Sequence, residues 1–336
     1  MHVLRRTTVA ATVMLAAISL GACSSSGSAS DSAKDRAPKE RAPKDKAPVD
    51  QANWPAEVPT SGLVKGLELP LESYLYPYAD QVAVDTALRT LQTRCMSEYG
   101  LTVDLPRPGV NPPPQSNAVS IERRYGLSDR AQAQKYGYGL PKELTRSLEP
   151  VEEGLSGVEV EVLTGQKKPE FAPPKGGNGA DGHFGRVPEP ARAEHNGKKL
   201  HEGGCAGWSK RRLKVNDEDA GFVTGLASTS LSESRPLKPV EKALKSWSAC
   251  MKGKGRQAAD PYRAMEQGYA DGDGTTKNAI ELALDDIDCK EQTRLIEVWF
   301  KEESAVQKRL IEENKDQLAA VKKRMGEVLA AAKAVK

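Results

Sequence analysis

The longest run of patterned apolar positions lies at the C-terminal end of the chain. From Thr276 to Lys336 there is no proline and one glycine, Gly326. Ile280, Leu284, Ile287, Leu295, Trp299, Val306, Leu310, Leu318, Val321, Met325 and Val328 recur largely on three- and four-residue steps, with Glu, Lys, Arg and Gln between them. That period places the apolar side chains along one helix face. The pattern predicts one very long helix or two abutting ones. A continuous helix of about 60 residues would span about 90 Å at ~1.5 Å per residue. A stripe of that length points to coiled-coil pairing, back onto this chain or with a partner.

Shorter stripes precede it. Val82, Val84, Leu88, Leu91 and Cys95 predict a helix from near Ala79 to Tyr99, with Gly100 as the residue whose left-handed conformation ends it. Leu244, Trp247 and Met251 keep i, i+3, i+7 spacing in another helix, opened near Pro239. Two more helices are expected, one from Gly203-Gly204-Cys205 through Leu213 and one over Asp217–Ser232. Ser128 stands where it can cap a short helix within residues 121–141. Val158–Leu163 (VEVEVL) alternates as a strand does, yet Ser156 and Gly165 bracket it as a short helix, which is the preferred reading. The remainder is irregular. Leu67–Tyr78 is an apolar lead-in with two prolines, Leu101–Leu105 is a short extended piece before the cluster Pro106, Pro108 and Pro112–Pro114, and residues 165–200 form a Gly-, Pro- and Lys-rich surface loop with a turn signal at Asn196-Gly197.

One motif recurs. Cys95-Met96 is followed by Gly100 and Pro106, and Cys250-Met251 by Gly255 and Pro261 at the same spacing. Cys205 and Cys289 each follow one copy. Set apart Cys23, and an even number of cysteines remains, which in an exported chain favours two disulfides. Four cysteines allow three pairings. Cys95–Cys205 with Cys250–Cys289 is preferred, because each bridge then closes one repeat. The expected fold is mainly α: two disulfide-stapled helical units with long irregular loops and a long C-terminal helix. Hydrophobic content of 38% and aromatic content of 5% imply small cores that need such staples. Each bridge contributes on the order of 2–4 kcal/mol.

The N-terminus supplies an address. Arg5 and Arg6 precede a short apolar run, Thr7–Leu20, too short for a permanent membrane span and typical of a signal peptide. Leu20-Gly21-Ala22-Cys23 resembles a bacterial lipobox, in which small residues admit the signal peptidase and the cysteine thiol takes a diacylglyceryl group. Cys23 is the candidate lipidation site; with two or more acyl chains, at about 0.8 kcal/mol per buried CH2, it would hold the protein on the membrane. After the serines that follow, a five-residue repeat runs through Arg36–Glu40, Arg41–Asp45 and Lys46–Asp50. Its regularly spaced prolines oppose helix and sheet, and its balanced charges favour solvation, so it reads as a tether. The expected organisation is a leader over 1–22, a tether over 23–60, a first Cys-Met unit over 61–214 and a second over 215–336.

Charge and chemistry narrow the function classes mainly by exclusion. The chain carries 49 basic and 46 acidic side chains, and loss of the leader removes two arginines. A near-neutral balance argues against a nucleic-acid partner, which needs a net basic footprint. No G-x-S-x-G, H-E-x-x-H or P-loop motif occurs. Gly177, Gly179 and Gly182 match G-x-G-x-x-G, but inside the Gly/Pro loop, without the strand-to-helix turn a dinucleotide site requires. His201 precedes Cys205 by four residues with no further ligand at zinc spacing. Asp271–Thr275 begins like a calcium loop, which then fails at Thr276 and Leu282. Glu281, Asp285 and Asp288 share a face, read as a solvated acidic face in preference to a cation site. No catalytic residue, metal ligand or cofactor is assigned. Seven of the nine tyrosines lie between Tyr74 and Tyr138. They either pack the margins of a thin core with wet hydroxyls or form a glycan-stacking surface. Tyr125, Tyr136 and Tyr138 are the candidate interaction surface.

Taken in order, the Cys-Met helix ending in Gly, Arg123-Arg124-Tyr125-Gly126, Gly203-Gly204-Cys205, Trp247-Ser248-Ala249-Cys250-Met251, Asp288-Cys289-Lys290 and the long C-terminal helix resemble a family of secreted actinobacterial lipoproteins. The resemblance spans roughly residues 67–320 and leaves out the tether. It implies export and paired cysteines, and the family carries no assigned activity to transfer. The expectation is a lipid-anchored protein on the extracytoplasmic face of the cell membrane, binding or assisting an envelope protein or wall polymer. The alternatives are a wall-acting enzyme and a structural spacer that oligomerises through its C-terminal helix. The oligomeric state stays open.

Overall fold

A computed structural model describes residues 48–113, 121–140, 154–168, 189–270 and 272–336. The leader, the Cys23 lipobox, most of the tether, the G-x-G-x-x-G match and His183 lie outside them. Eleven α-helices occur among the described residues: α1 Tyr78–Glu98, α2 Ile121–Arg124, α3 Arg130–Tyr136, α4 Gly157–Thr164, α5 Gly204–Leu213, α6 Asp217–Ser234, α7 Lys238–Gly253, α8 Pro261–Tyr269, α9 Lys277–Thr293, α10 Leu295–Glu313 and α11 Lys315–Lys333. Two 3-10 turns, Gln51–Asn53 and Pro70–Tyr74, precede α1. The described sheet is a two-residue hairpin, β1 Glu194–His195 against β2 Lys198–Lys199, closed over Asn196-Gly197. Both turn residues have positive φ, 48° and 72°, as an Asn-Gly hairpin turn requires.

The ambiguous VEVEVL stretch is the helix α4. Ser156 caps it by accepting from the Glu159 amide at 3.3 Å, while Glu159 accepts from the Ser156 amide at 2.7 Å. The short helix α3 is capped by Asp129 instead of Ser128: Asp129 accepts from the Gln132 amide at 3.0 Å, and the Ser128 hydroxyl donates back to the Glu122 carbonyl at 2.7 Å.

The two Cys-Met helices end identically. At the end of α1, Gly100 has φ 75°, its amide bonds the Ser97 carbonyl at 2.9 Å, and the Leu101 amide bonds the Met96 carbonyl at 3.1 Å. At the end of α7, Gly255 has φ 79°, with Gly255 N–H to Lys252 O at 3.0 Å and Arg256 N–H to Met251 O at 2.9 Å. Each is a Schellman closure, in which glycine takes the left-handed position without a Cβ penalty. Met96 and Met251 are fully buried beneath these turns. Both bridges form as preferred, Cys95–Cys205 and Cys250–Cys289, with Cα separations of 5.6 and 5.7 Å. The proline that completes the motif has no common role. Pro106 lies outside any helix or strand, whereas Pro261 opens α8 behind Asp260, which accepts from the Tyr262 and Arg263 amides.

The C-terminal stripe is neither one helix nor two. It is three, broken at Arg294 and Asn314. Arg294 adopts a left-handed conformation (φ 54°), unusual for a residue with a Cβ, and its side chain is tied to Glu297 at 2.7 Å. The Asn314 side-chain amide folds back onto the Leu310 carbonyl at 2.8 Å, which also accepts the Asn314 backbone N–H at 3.1 Å. The breaks let the stripe pack against its own chain: α9 against α3, α7 and α8, α10 against α6, α7 and the Pro70–Tyr74 turn, and α11 against α1 and α5.

Elements on the two sides of residue 214 pack on each other, α1 against α11 and α3 against α9. The described residues belong to one compact unit. The largest core joins Leu69, Leu71, Ile121, Tyr125 and Tyr138 to Trp247, Ile287, Trp299 and Val321. A second surrounds the Cys95–Cys205 bridge with Met96, Tyr99, Val103, Leu105 and Val162. A third holds Val84, Ala87 and Leu91 of α1 against Leu213, Val328 and Ala332. The physical reason is length: the pieces around residues 64–75 and 121–140 are too short to bury their apolar faces on each other, so they insert among the longer C-terminal helices.

Candidate functional site

Two charged clusters lie inside the largest core, and both are built on the segment 121–138. The first centres on Glu303 of α10, whose side chain is fully enclosed. Arg124, at the end of α2, reaches it with Nε at 2.9 and 3.1 Å from the two carboxylate oxygens, and its Nη2 completes the fork. The Tyr125 hydroxyl donates to Glu303 Oε2 at 2.8 Å, and the Ser230 hydroxyl to Oε1 at 2.7 Å. Gln307, one turn further along α10, donates to Ser230 at 3.0 Å and accepts from the Leu71 amide at 3.0 Å. Arg124 also donates to the Ala227 carbonyl, and the Tyr262 hydroxyl donates to the Arg124 carbonyl. Burial, reinforced by the Glu303 charge, pushes the Tyr125 phenol well above its ordinary range, so it remains a donor. Tyr125 and Tyr262 both contact the Trp299 ring, at centroid distances of 5.3 and 6.2 Å.

The second cluster pairs Asp286 with Lys290, one turn apart on α9, both without exposed side-chain surface. Lys290 Nζ donates to Asp286 Oδ2 at 2.9 Å and to the Leu127 carbonyl at 2.7 Å. Asp286 also accepts from Trp247 Nε1 at 3.0 Å and from the Tyr138 hydroxyl at 3.1 Å. Burial raises the Asp286 carboxyl and lowers the Lys290 amine, each effect opposed by the charge of the partner. Gly126 is where the turn passes over this amine: a Cβ there would stand 2.7 Å from Lys290 Nζ. The two clusters therefore clamp one short turn, Arg123–Leu127, from both sides. Arg123 closes the far end by donating to the Tyr138 and Gly139 carbonyls at 2.7 and 2.9 Å.

The clusters are fixed and fully bonded, and their geometry is that of a structural lock. The tyrosines expected to form an interaction surface do not form one. Tyr125 and Tyr138 are completely buried, and Tyr136 is half-buried with Lys135 over its ring. The alternative of wet hydroxyls at a core margin also fails for Tyr125 and Tyr138, because each hydroxyl is spent on a buried carboxylate. On the acidic face of α9 Glu281 is exposed and Asp285 and Asp288 are partly exposed, and basic side chains pair with them. Lys254 bridges Asp285 and Asp288 at 3.2 Å each, Arg256 bonds Asp285 at 2.9 Å, and Arg130 bonds Asp288 at 2.6 Å. Cys205 is committed to its bridge, and His201 stacks on Trp208 at 5.7 Å. In the would-be calcium loop, Asp273 accepts from the Thr275 amide and hydroxyl, and Thr276 caps α9. Among the described residues no group of three His, Cys, Asp or Glu is placed to hold a metal ion, and no helix is long and apolar enough to cross a membrane.

Glu303, Gln307, Asp286 and Lys290 escape a search for apolar stripes, yet a signal for them exists. Trp299, Glu303, Gln307 and Leu310 follow helical spacing, as do Ala279, Ala283, Ile287 and their neighbours Asp286 and Lys290. Polar residues in register with a core face mark a buried network. Comparison with family models, with curated proteins and with solved structures finds no match to this chain.

Proposed function

We propose that this chain is a lipid-anchored protein on the extracytoplasmic face of the cell membrane, acting as a binding or accessory protein without catalytic activity of its own. The observation that carries the reading is the pair of disulfides, each closing one Cys-Met repeat. Structural bridges persist where the surroundings are oxidising, and this supports a position outside the cytoplasm. The lipobox ending at Cys23 and the charged Pro repeat behind it supply the anchor and the spacer. The likeness to secreted actinobacterial lipoproteins agrees with both. A core clamped by two buried charge clusters suits a rigid body that presents its outer surface to a partner. Labelling of expressing cells with a clickable palmitate analogue tests the anchor. Incorporation that disappears in Cys23→Ala, together with release of the protein from membranes, is the expected result. A water-soluble, unlabelled mature chain would overturn it.

A further inference from the structure

We propose that the outward face of α7 docks onto anionic phospholipid headgroups of the bilayer that holds the chain; this rests on the lipid-anchor reading above. The helix buries Val240, Ala243, Trp247 and Met251. Opposite them, Lys238, Lys242, Lys245 and Lys252 are exposed and fall within an arc of about 80° at ~100° per residue. Lys238, Lys242 and Lys245 line a shallow depression of about 490 Å³ together with Glu241, Ser246 and Ala249.

None of the four lysines forms an ion pair among the described residues. Lys254 and Arg256, just beyond the helix, are both taken up by acids of α9. On the α7 face four lysines stand with the single acid Glu241, so the face keeps a net positive charge. Its composition points to a lipid surface ahead of a protein partner. Protein interfaces are depleted in lysine and anchored by aromatic residues and arginine, none of which this face offers. Strings of lysine beside small residues suit the diffuse field of an anionic membrane, which falls off within a Debye length. Chain length keeps that surface at hand. The described body begins at residue 48, about 25 residues after Cys23, and such a segment spans at most about 90 Å. A surface within that reach acts at high effective concentration, whereas a free polymer must be met from solution.

The test is a lysine-acylation footprint of the full-length lipidated chain, reconstituted into vesicles of phosphatidylcholine alone or with about a quarter phosphatidylglycerol, and read by peptide mass spectrometry. Lys238, Lys242, Lys245 and Lys252 should acylate about fivefold more slowly on the anionic vesicles, while Lys65 and Lys199, exposed on other elements, should not change. The protection should vanish at about 0.5 M salt, where the screening length is ~4 Å. In Lys242→Glu/Lys245→Glu it should be lost at Lys238 and Lys252 as well. Equal rates on both vesicles would overturn the proposal. So would protection that appears only when soluble poly(glycerol phosphate) is added, which would assign the face to a wall polymer. A chain that fails to float with neutral vesicles removes the anchor and this proposal with it, whereas one that floats but acylates equally removes the lysine face alone.

Discussion

Arg124 and Glu303, 179 residues apart in the chain, meet as a buried ion pair whose carboxylate is wholly enclosed. Removing one partner of such a pair costs far more than removing both, because a lone charge is left in the core. Glu303→Leu should therefore destabilise the fold by about 3–5 kcal/mol. Adding Arg124→Met to it should recover at least about 1 kcal/mol, although Tyr125 and Ser230 still lose their acceptor. Urea denaturation of the two single variants and the double gives the coupling directly. Strict additivity would show that the pair is not coupled in the folded state.

The second cluster gives a sharper contrast of chemistry. Lys290→Met leaves the Leu127 carbonyl and Asp286 without their donor, but Asp286, already favoured toward its neutral form by burial, can take up a proton. Asp286→Ala leaves an amine in the same space with the Leu127 carbonyl as its remaining acceptor, strands the Tyr138 donor, and leaves Trp247 Nε1 with the backbone carbonyl of residue 286 at 3.3 Å. The second change should cost about 1–3 kcal/mol more than the first, by thermal or urea unfolding.

Glu72 predicts a pH dependence. Burial first, and then the neighbouring Glu68 and Glu122 charges, raise its carboxyl from 4.5 to about 7, against the Leu69 amide and Arg124. The folded state thus holds a proton that the unfolded state has lost between these values. Its contribution to stability is present at low pH and falls as pH rises through that window. Glu72→Gln keeps an acceptor for the Leu69 amide and cannot ionise. It should be about 1–2 kcal/mol more stable than the parent near pH 8, after allowance for the carboxyl's partial exposure, with the gap closing near pH 4. Urea midpoints across that range check the sign.

The two bridges should behave differently toward reductant. Cys95, Cys205 and Cys289 are fully buried, while Cys250 is partly exposed. Thiolate attack needs access to sulfur, so mild reductant under native conditions should open Cys250–Cys289 first. Differential alkylation with mass spectrometry reads the order. Stability should rank the other way. The bridges close 110 and 39 residues, and chain entropy gives about 5 and about 4 kcal/mol for loops of these sizes. Replacing Cys95 and Cys205 together by serine should cost more than replacing Cys250 and Cys289.

What could be read from sequence was what local chemistry decides. The Cys-Met helices, their glycine ends, the helix between Ser156 and Gly165 and the cysteine pairing all follow from spacing within a few turns, or from one repeat echoing another. The break at Arg294 was not legible, because a left-handed arginine carries no compositional mark and is held by its neighbours. The fate of Tyr125 and Tyr138 was not legible either. Tyrosine suits both a wet rim and a dry core, and the deciding partners, Glu303 and Asp286, lie 178 and 148 residues away. The packing across residue 214 was not legible for a related reason: sequence order groups the elements by repeat, whereas burial sets the short early segments among the late helices.

The Cys95–Cys205 bridge also changes what a protease can do. It joins α1 to α5 across every residue from Met96 to Gly204, a stretch that includes the Gly-, Pro- and Lys-rich run. A single cut anywhere in that stretch leaves two fragments still linked by the bridge, with α1 and α5 packed on each other. A nicked molecule would travel as intact chain on a non-reducing gel and fall into two pieces on a reducing one. In the location proposed above, a cut between Met96 and Gly204 need not then mean loss of the chain.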